Sequence, residues 1–80
     1  MAHVVFPDHL LSVTGGVRQI DVVAANVREL LIALEAEFPG SEETLAKSAI
    51  AIDGQIHQDA YLEPIGANSE VFFMLRLEGG

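Results

Sequence analysis

Asn26-Val27-Arg28-Glu29-Leu30-Leu31-Ile32-Ala33-Leu34-Glu35-Ala36-Glu37-Phe38-Pro39-Gly40 is the stretch that decides the fold class of this 80-residue chain. Val27, Leu30, Leu31, Leu34 and Phe38 recur at helical spacing and line one face, while Arg28, Glu29, Glu35 and Glu37 fall on the other. Asn26 is a suitable N-cap, Glu29 stands where a capping box needs an acid, and Pro39-Gly40 supplies the breakers. A helix with one apolar face needs a surface to lie on, and the flanking sequence must provide it.

Upstream, Val4-Val5-Phe6 reads as a strand that stops at Pro7-Asp8, because proline removes a ladder donor. Gly15-Gly16 are turn residues suited to positive φ. Val17 to Val23 is a second strand, with Ile20 and Val22 on one face and Gln19 and Asp21 on the other. The two form a hairpin whose connection, Pro7 to Thr14, is longer than a two-residue turn.

Downstream, Ser41 to Lys47 reads as a short helical turn capped by Ser41, with Glu42 and Glu43 at the positive end of its dipole. Ala49-Ile50-Ala51-Ile52 is a strand, Asp53-Gly54 a tight turn and Gln55-Ile56-His57 a short return. Leu62 to Ser69 is turn-rich. Glu70 to Leu77 is a last strand, with Val71, Phe73, Leu75 and Leu77 on one side and Phe72, Met74, Arg76 and Glu78 on the other. Hairpin, helix, strands and final strand make an α+β roll: one domain over 1–80, a mixed sheet of four to five strands with one main helix across one face, and a flexible tail at 78–80.

Composition narrows the function. Four Lys+Arg against twelve Asp+Glu give a net charge of −8, which opposes binding to nucleic acid or anionic membranes. The absence of cysteine excludes disulfides, thiolate metal sites and a thiol nucleophile. No apolar run approaches a membrane span and the opening lacks a basic leader, so a cytoplasmic location is expected. A chain this short has little room for a deep enclosed cleft, so chemistry is expected on an edge or an end.

Gly79-Gly80 follow the last strand as a side-chain-free tail that fits a narrow slot. Its carboxylate is a poor acyl donor and needs activation, most simply by ATP to an acyl-adenylate. The alternative is a frayed terminus. Phe72 and Met74 lie on the strand face away from the helix, where polar residues are the rule, and so form a candidate docking patch unless the loop from Ala60 to Gly66 covers them through Tyr61 or Leu62. Arg76 continues that face, either to pair with an acidic groove of a partner or as a solvated charge. His3, His9 and His57 lack metal-ligand spacing. Asp8, His9 and Ser12 offer triad residue types without a nucleophile elbow, and Thr14-Gly15-Gly16 lacks the rest of a phosphate loop.

The ending Glu70-Val71-Phe72-Phe73-Met74-Leu75-Arg76-Leu77-Glu78-Gly79-Gly80 resembles the last strand and tail of the ubiquitin-like sulfur carriers of the MoaD/ThiS family. Phe6-Pro7, Leu10-Leu11 and Thr14-Gly15-Gly16 resemble the first hairpin of the subfamily that includes the cysteine-biosynthesis carriers. Asn26 to Leu31, Leu34-Glu35 and Phe38-Pro39-Gly40 are similar to the family helix and its stop. Asp53-Gly54 and Gly66 to Val71 follow in family order, so the resemblance spans nearly the whole chain. Where molybdopterin-type carriers usually have a proline pair this chain has Leu75-Arg76, and where they have an Asp-rich turn it has Ala67-Asn68-Ser69-Glu70.

The resemblance implies a β-grasp fold and a protein cosubstrate rather than an enzyme. Gly80 would be adenylated by a ubiquitin-activating-type enzyme and converted to a thiocarboxylate, with Gly79 giving passage into that enzyme and Phe72, Met74 and Arg76 forming the docking face. No cofactor is bound by the chain itself; ATP is used by the activating partner. A sulfur-accepting synthase is the second partner, of molybdopterin, thiamine or cysteine type. The same tail equally suits a ubiquitin-like modifier joined through Gly80 to target lysines, and the roll alone suits a small interaction module.

Overall fold

The computed structural model describes residues 1–58 and 60–75. Five strands form one sheet: β1 (Ala2–Val5), β2 (Gln19–Val22), β3 (Ala49–Ile52), β4 (Gln55–His57) and β5 (Glu70–Met74). Their order is β2-β1-β5-β3-β4, with β1 and β5 parallel and every other pair antiparallel. The helices are α1 (Leu11–Thr14), α2 (Val27–Glu37) and α3 (Glu42–Ala46).

α2 starts and stops where its chemistry requires. The Asn26 side chain accepts the Glu29 N–H at 2.8 Å from an extended backbone. The Glu29 carboxylate reaches back one residue further than a capping box, accepting the Ala25 N–H at 3.1 Å, while Asn26 is held in an antiparallel bridge to Pro64. Val27, Leu30, Leu31 and Leu34 are buried against Val4, Val71, Ile50 and Phe73 of the sheet's inner face. Full burial of one such aliphatic side chain contributes about 1.5–3 kcal/mol. Phe6 stacks on Phe73 at a centroid distance of 5.6 Å and meets Phe38 edge-on at 5.9 Å, which ties the end of β1 to the end of the helix.

Several expectations are met in detail. Asp53 and Gly54 both take positive φ, 50° and 84°, as a two-residue hairpin turn between antiparallel strands requires. Gly15 and Gly16 lie at φ 66° and 89°, Gly15 ending α1. The long connection after β1 is helical rather than irregular: a 3₁₀ turn at Asp8–Leu10 runs into α1, burying Leu10 and Thr14, and the Thr14 hydroxyl donates to the Val17 carbonyl at 2.8 Å.

Two expectations are corrected. Ser41 precedes α3 but does not cap it. Its backbone is helical, φ −80° and ψ −25°, whereas a capping side chain faces the first amides from extended backbone, and its hydroxyl is buried without a partner. The Glu35 carboxylate does that work from α2, accepting the Gly40 N–H at 2.6 Å and the Glu42 N–H at 2.9 Å. The last strand also ends earlier than its pattern suggests. Met74 pairs with Ala49, the first residue of β3, and Phe72 with Val5, the last of β1, so both neighbours run out. Leu75, placed by alternation on the buried face, is instead 67% exposed.

Candidate functional site

Directly opposed residues in a sheet share a face. Val4, Val71, Phe73, Ile50 and Ile52 point to the helix, so the registers Val5↔Phe72, Ala51↔Phe72 and Ala51↔Ile56 place Val5, Phe72, Ala51 and Ile56 in one row across four strands of the outer face. Met74 and Ala49 form the next row toward the end of β5. Phe72 is 40% and Ile56 61% exposed, and Met74 is half-buried. Ala51 lies between Phe72 and Ile56 in the first row and Ala49 beside Met74 in the second, and both alanines are buried.

The loop from Ala60 to Gly66, the alternative cover for Phe72 and Met74, lies on the other side of the sheet. The Arg28 N–H donates to the Tyr61 carbonyl at 3.0 Å, Val27 N–H to Glu63 at 3.0 Å and Ile65 N–H to Ala25 at 2.9 Å, which fastens Tyr61 to Ile65 against the first turn of α2. Phe72 and Met74 are therefore brought together on a face that this loop leaves open.

The opposite end of the face is polar. His3 pairs in register with Asp21 and Glu70, and His3 Nδ1 lies 2.8 Å from Asp21 Oδ1. The Asp21 hydrogen bond holds the imidazole pKa above its ordinary value. Nearby, the Asp53 carboxylate accepts the Glu70 N–H at 2.9 Å and the Ser69 hydroxyl at 2.8 Å, and these two bonds lower its pKa. Ser69 in turn accepts the Gly66 N–H at 2.8 Å. This clasp fixes the β3–β4 turn to the start of β5 and so sets the register that aligns Phe72 with Ala51.

Arg76, Gly79 and Gly80, and the tail at 78–80, lie outside the described residues. Among the described residues no cluster of three or more His, Asp or Glu is arranged to hold a metal ion. Asp8 is taken by Arg18 at 2.7 Å, which separates it from the triad types seen in sequence, and His57 approaches Glu63 only to 3.8 Å. No described helix is long and apolar enough to cross a membrane. Sequence reasoning missed Val5, Ile56, Ala49 and Ala51 as parts of the face. The alternation of small and large residues in Ala49-Ile50-Ala51-Ile52 was the available signal, but which strands flank it is a matter of long-range pairing.

A mixed five-stranded sheet with a parallel central pair and one helix across its inner face is the β-grasp roll of ubiquitin-like proteins. The same fold occurs, at TM-score 0.86 and 17% identity over the whole of both chains, in the crystal structure of the Amycolatopsis orientalis BexX/CysO complex. It occurs also in Mycobacterium tuberculosis CysO, described as an antigen, at TM-score 0.84 and 17% identity over 96% of this chain and 100% of that one. SAMP1 from Haloferax volcanii matches at TM-score 0.71 and 22% identity over 99% of this chain and 98% of the other. At these identities the likeness establishes the fold. No family model matches the sequence, and comparison with curated protein sequences finds no match.

Proposed function

We propose that the chain is a sulfur carrier whose Gly80 is adenylated by a ubiquitin-activating-type enzyme and converted to a thiocarboxylate. The observation that carries this reading is the coupling of one strand to both features it needs: β5 presents Phe72 and Met74 on the outer face, and the sequence that follows it reads Leu75-Arg76-Leu77-Glu78-Gly79-Gly80. The family resemblance of the sequence and the likeness to a chain solved in a protein complex both support a role that needs a protein partner.

In the proposed cycle the Gly80 carboxylate attacks the α-phosphorus of ATP, releasing pyrophosphate and giving an acyl-adenylate. Hydrosulfide, or a sulfur donor equivalent to it, adds to the acyl carbon and expels AMP. The thiocarboxylate sulfur then attacks an electrophilic carbon of a synthase-bound acceptor, displacing that carbon's leaving group, and water cleaves the resulting thioester at its acyl carbon, leaving the sulfur on the acceptor and restoring the Gly80 carboxylate. The protein is a cosubstrate in each step, and ATP is consumed on the partner. Gly79 lets the backbone enter a slot too narrow for a Cβ, and Arg76 guides it.

Incubation of the full chain with the activating enzyme, ATP and a sulfide source is expected to raise its intact mass by about 16 Da, as sulfur replaces one terminal oxygen. An unchanged mass, with an enzyme shown to be active on ATP, overturns the proposal. Adducts to target lysines that disappear when Gly80 is deleted would replace it with the modifier reading.

A further inference from the structure

The helical side of the molecule carries a second feature that does not depend on the carrier reading. A cavity of about 360 Å³ opens between α2, α3 and the segment that follows β4. Its floor, made by Val27, Leu31, Ile50 and Ala60, is buried and apolar. Its polar lining comprises Ser48, Gln58, Tyr61 and Glu63. The Ser48 hydroxyl already donates to the Thr44 carbonyl at 3.2 Å, so toward the cavity it can only accept, and an ionised Glu63 carboxylate accepts alone. His57 stands 3.8 Å from Glu63, beyond hydrogen-bond length. Gln58 and Tyr61 can donate as well as accept, so charge sets the polar character of a guest, and facing a carboxylate on a chain of net charge −8 it is best a cation.

The wall identifies the kind of guest. Tyr61 and Leu62 stand 51% and 78% exposed beside the opening, on backbone fixed by the bonds from the first turn of α2. The cavity is thus held ready rather than collapsed. A small amine would fill the floor and leave both side chains in water, whereas a polypeptide would cover them.

We infer that this cavity docks a segment of a partner protein that inserts one bulky apolar side chain and sets an adjacent Lys or Arg against Glu63. Because the cavity lies on the helical side and Phe72 on the opposite face, the two surfaces can be occupied together.

The test is a titration of the full chain, followed by its amide NMR spectrum, with blocked Leu-Phe-Arg-Arg as the probe. Two control peptides replace both Arg by Glu, or Leu and Phe by Ser. Saturable shifts at Leu31, Ala46 and Leu62 are expected with the probe, with both controls weaker by about tenfold or more. Glu63→Gln, which leaves the backbone bonds of that residue intact, is expected to weaken the probe by roughly tenfold. Leu62→Ser, at an exposed position, is expected to weaken it without altering the spectrum of the free protein beyond its neighbours. Equal binding of the three peptides, no saturable shift, or shifts confined to Phe72 and Ile56 overturns the inference. So does movement of the cavity amides on deletion of 76–80, which would make the chain's own Arg76-Leu77 the occupant. Movement on dilution without peptide would make it a second copy and overturns the inference as well.

Discussion

Asp53 shows how one side chain can serve a turn and a strand at once. Its backbone occupies the left-handed region of the β3–β4 turn while its carboxylate accepts from Ser69 and Glu70. Those bonds favour the ionised form and hold its pKa below the ordinary value of 3.8. A carboxylate with a lowered folded pKa contributes stability that is fully present above its unfolded pKa and is lost as pH falls through the folded one. Glu35, whose pKa is lowered by the Gly40 and Glu42 amides, acts in the same direction. His3, raised by Asp21, acts oppositely: its contribution is full below 6.5 and lost as pH rises through the folded value. Asp53→Asn is therefore expected to flatten the acid limb of stability below about pH 4 while leaving the limb above pH 6 unchanged. Urea midpoints measured across pH check this, and an unaltered acid limb would assign the clasp no energetic role. The Asp53 clasp was not legible in sequence, since Asp53 and Ser69 are joined only by the packing of strands remote in the chain.

The elements separate into those whose information is local and those whose is not. α2 was readable almost to the residue because its face, cap and stop all lie within Asn26 to Gly40. The Asp53-Gly54 hairpin was readable because its turn chemistry is specific. β5 was read correctly at its start, and at its end alternation carried the reading past Met74, where the described pairing with β3 stops, to Leu75, which lies outside the strand. Ser41 had the right side chain for a cap on the wrong backbone. On β5 itself, Phe72→Thr keeps a strand-forming residue and removes the largest apolar group from the centre of the outer row. It is expected to raise the KM for the proposed activating enzyme by about tenfold, as loss of an aromatic anchor at an interface does, with little change in melting temperature. A KM within twofold of the parent's would move the docking site off this face.

At the scale of the whole molecule, the α+β class and the helix-over-sheet arrangement followed from element order, whereas the strand order did not. Nothing in Val4-Val5 or Glu70-Val71-Phe72 announces that they lie side by side and parallel; only the closed roll brings them together. Net charge is also a property of the whole. At −8 it favours encounter with a basic surface, and such steering weakens as salt shortens the reach of the field. The association rate with the proposed activating enzyme is expected to fall several-fold between roughly 0.02 and 0.2 M salt, with dissociation little changed, as stopped-flow measurement would resolve. A rate indifferent to salt would leave the acidity to solubility alone.

The parallel neighbours β1 and β5 have a mechanical consequence. Tension applied between the start of β1 and the end of β5 pulls the two strands past one another along their length, so their rungs of hydrogen bonds bear the load together and must rupture as a group. A machine that grips the chain by its two extremities would meet a stiff, brittle clamp, whereas traction peeling β4 from the sheet's edge would break its bonds to β3 one after another.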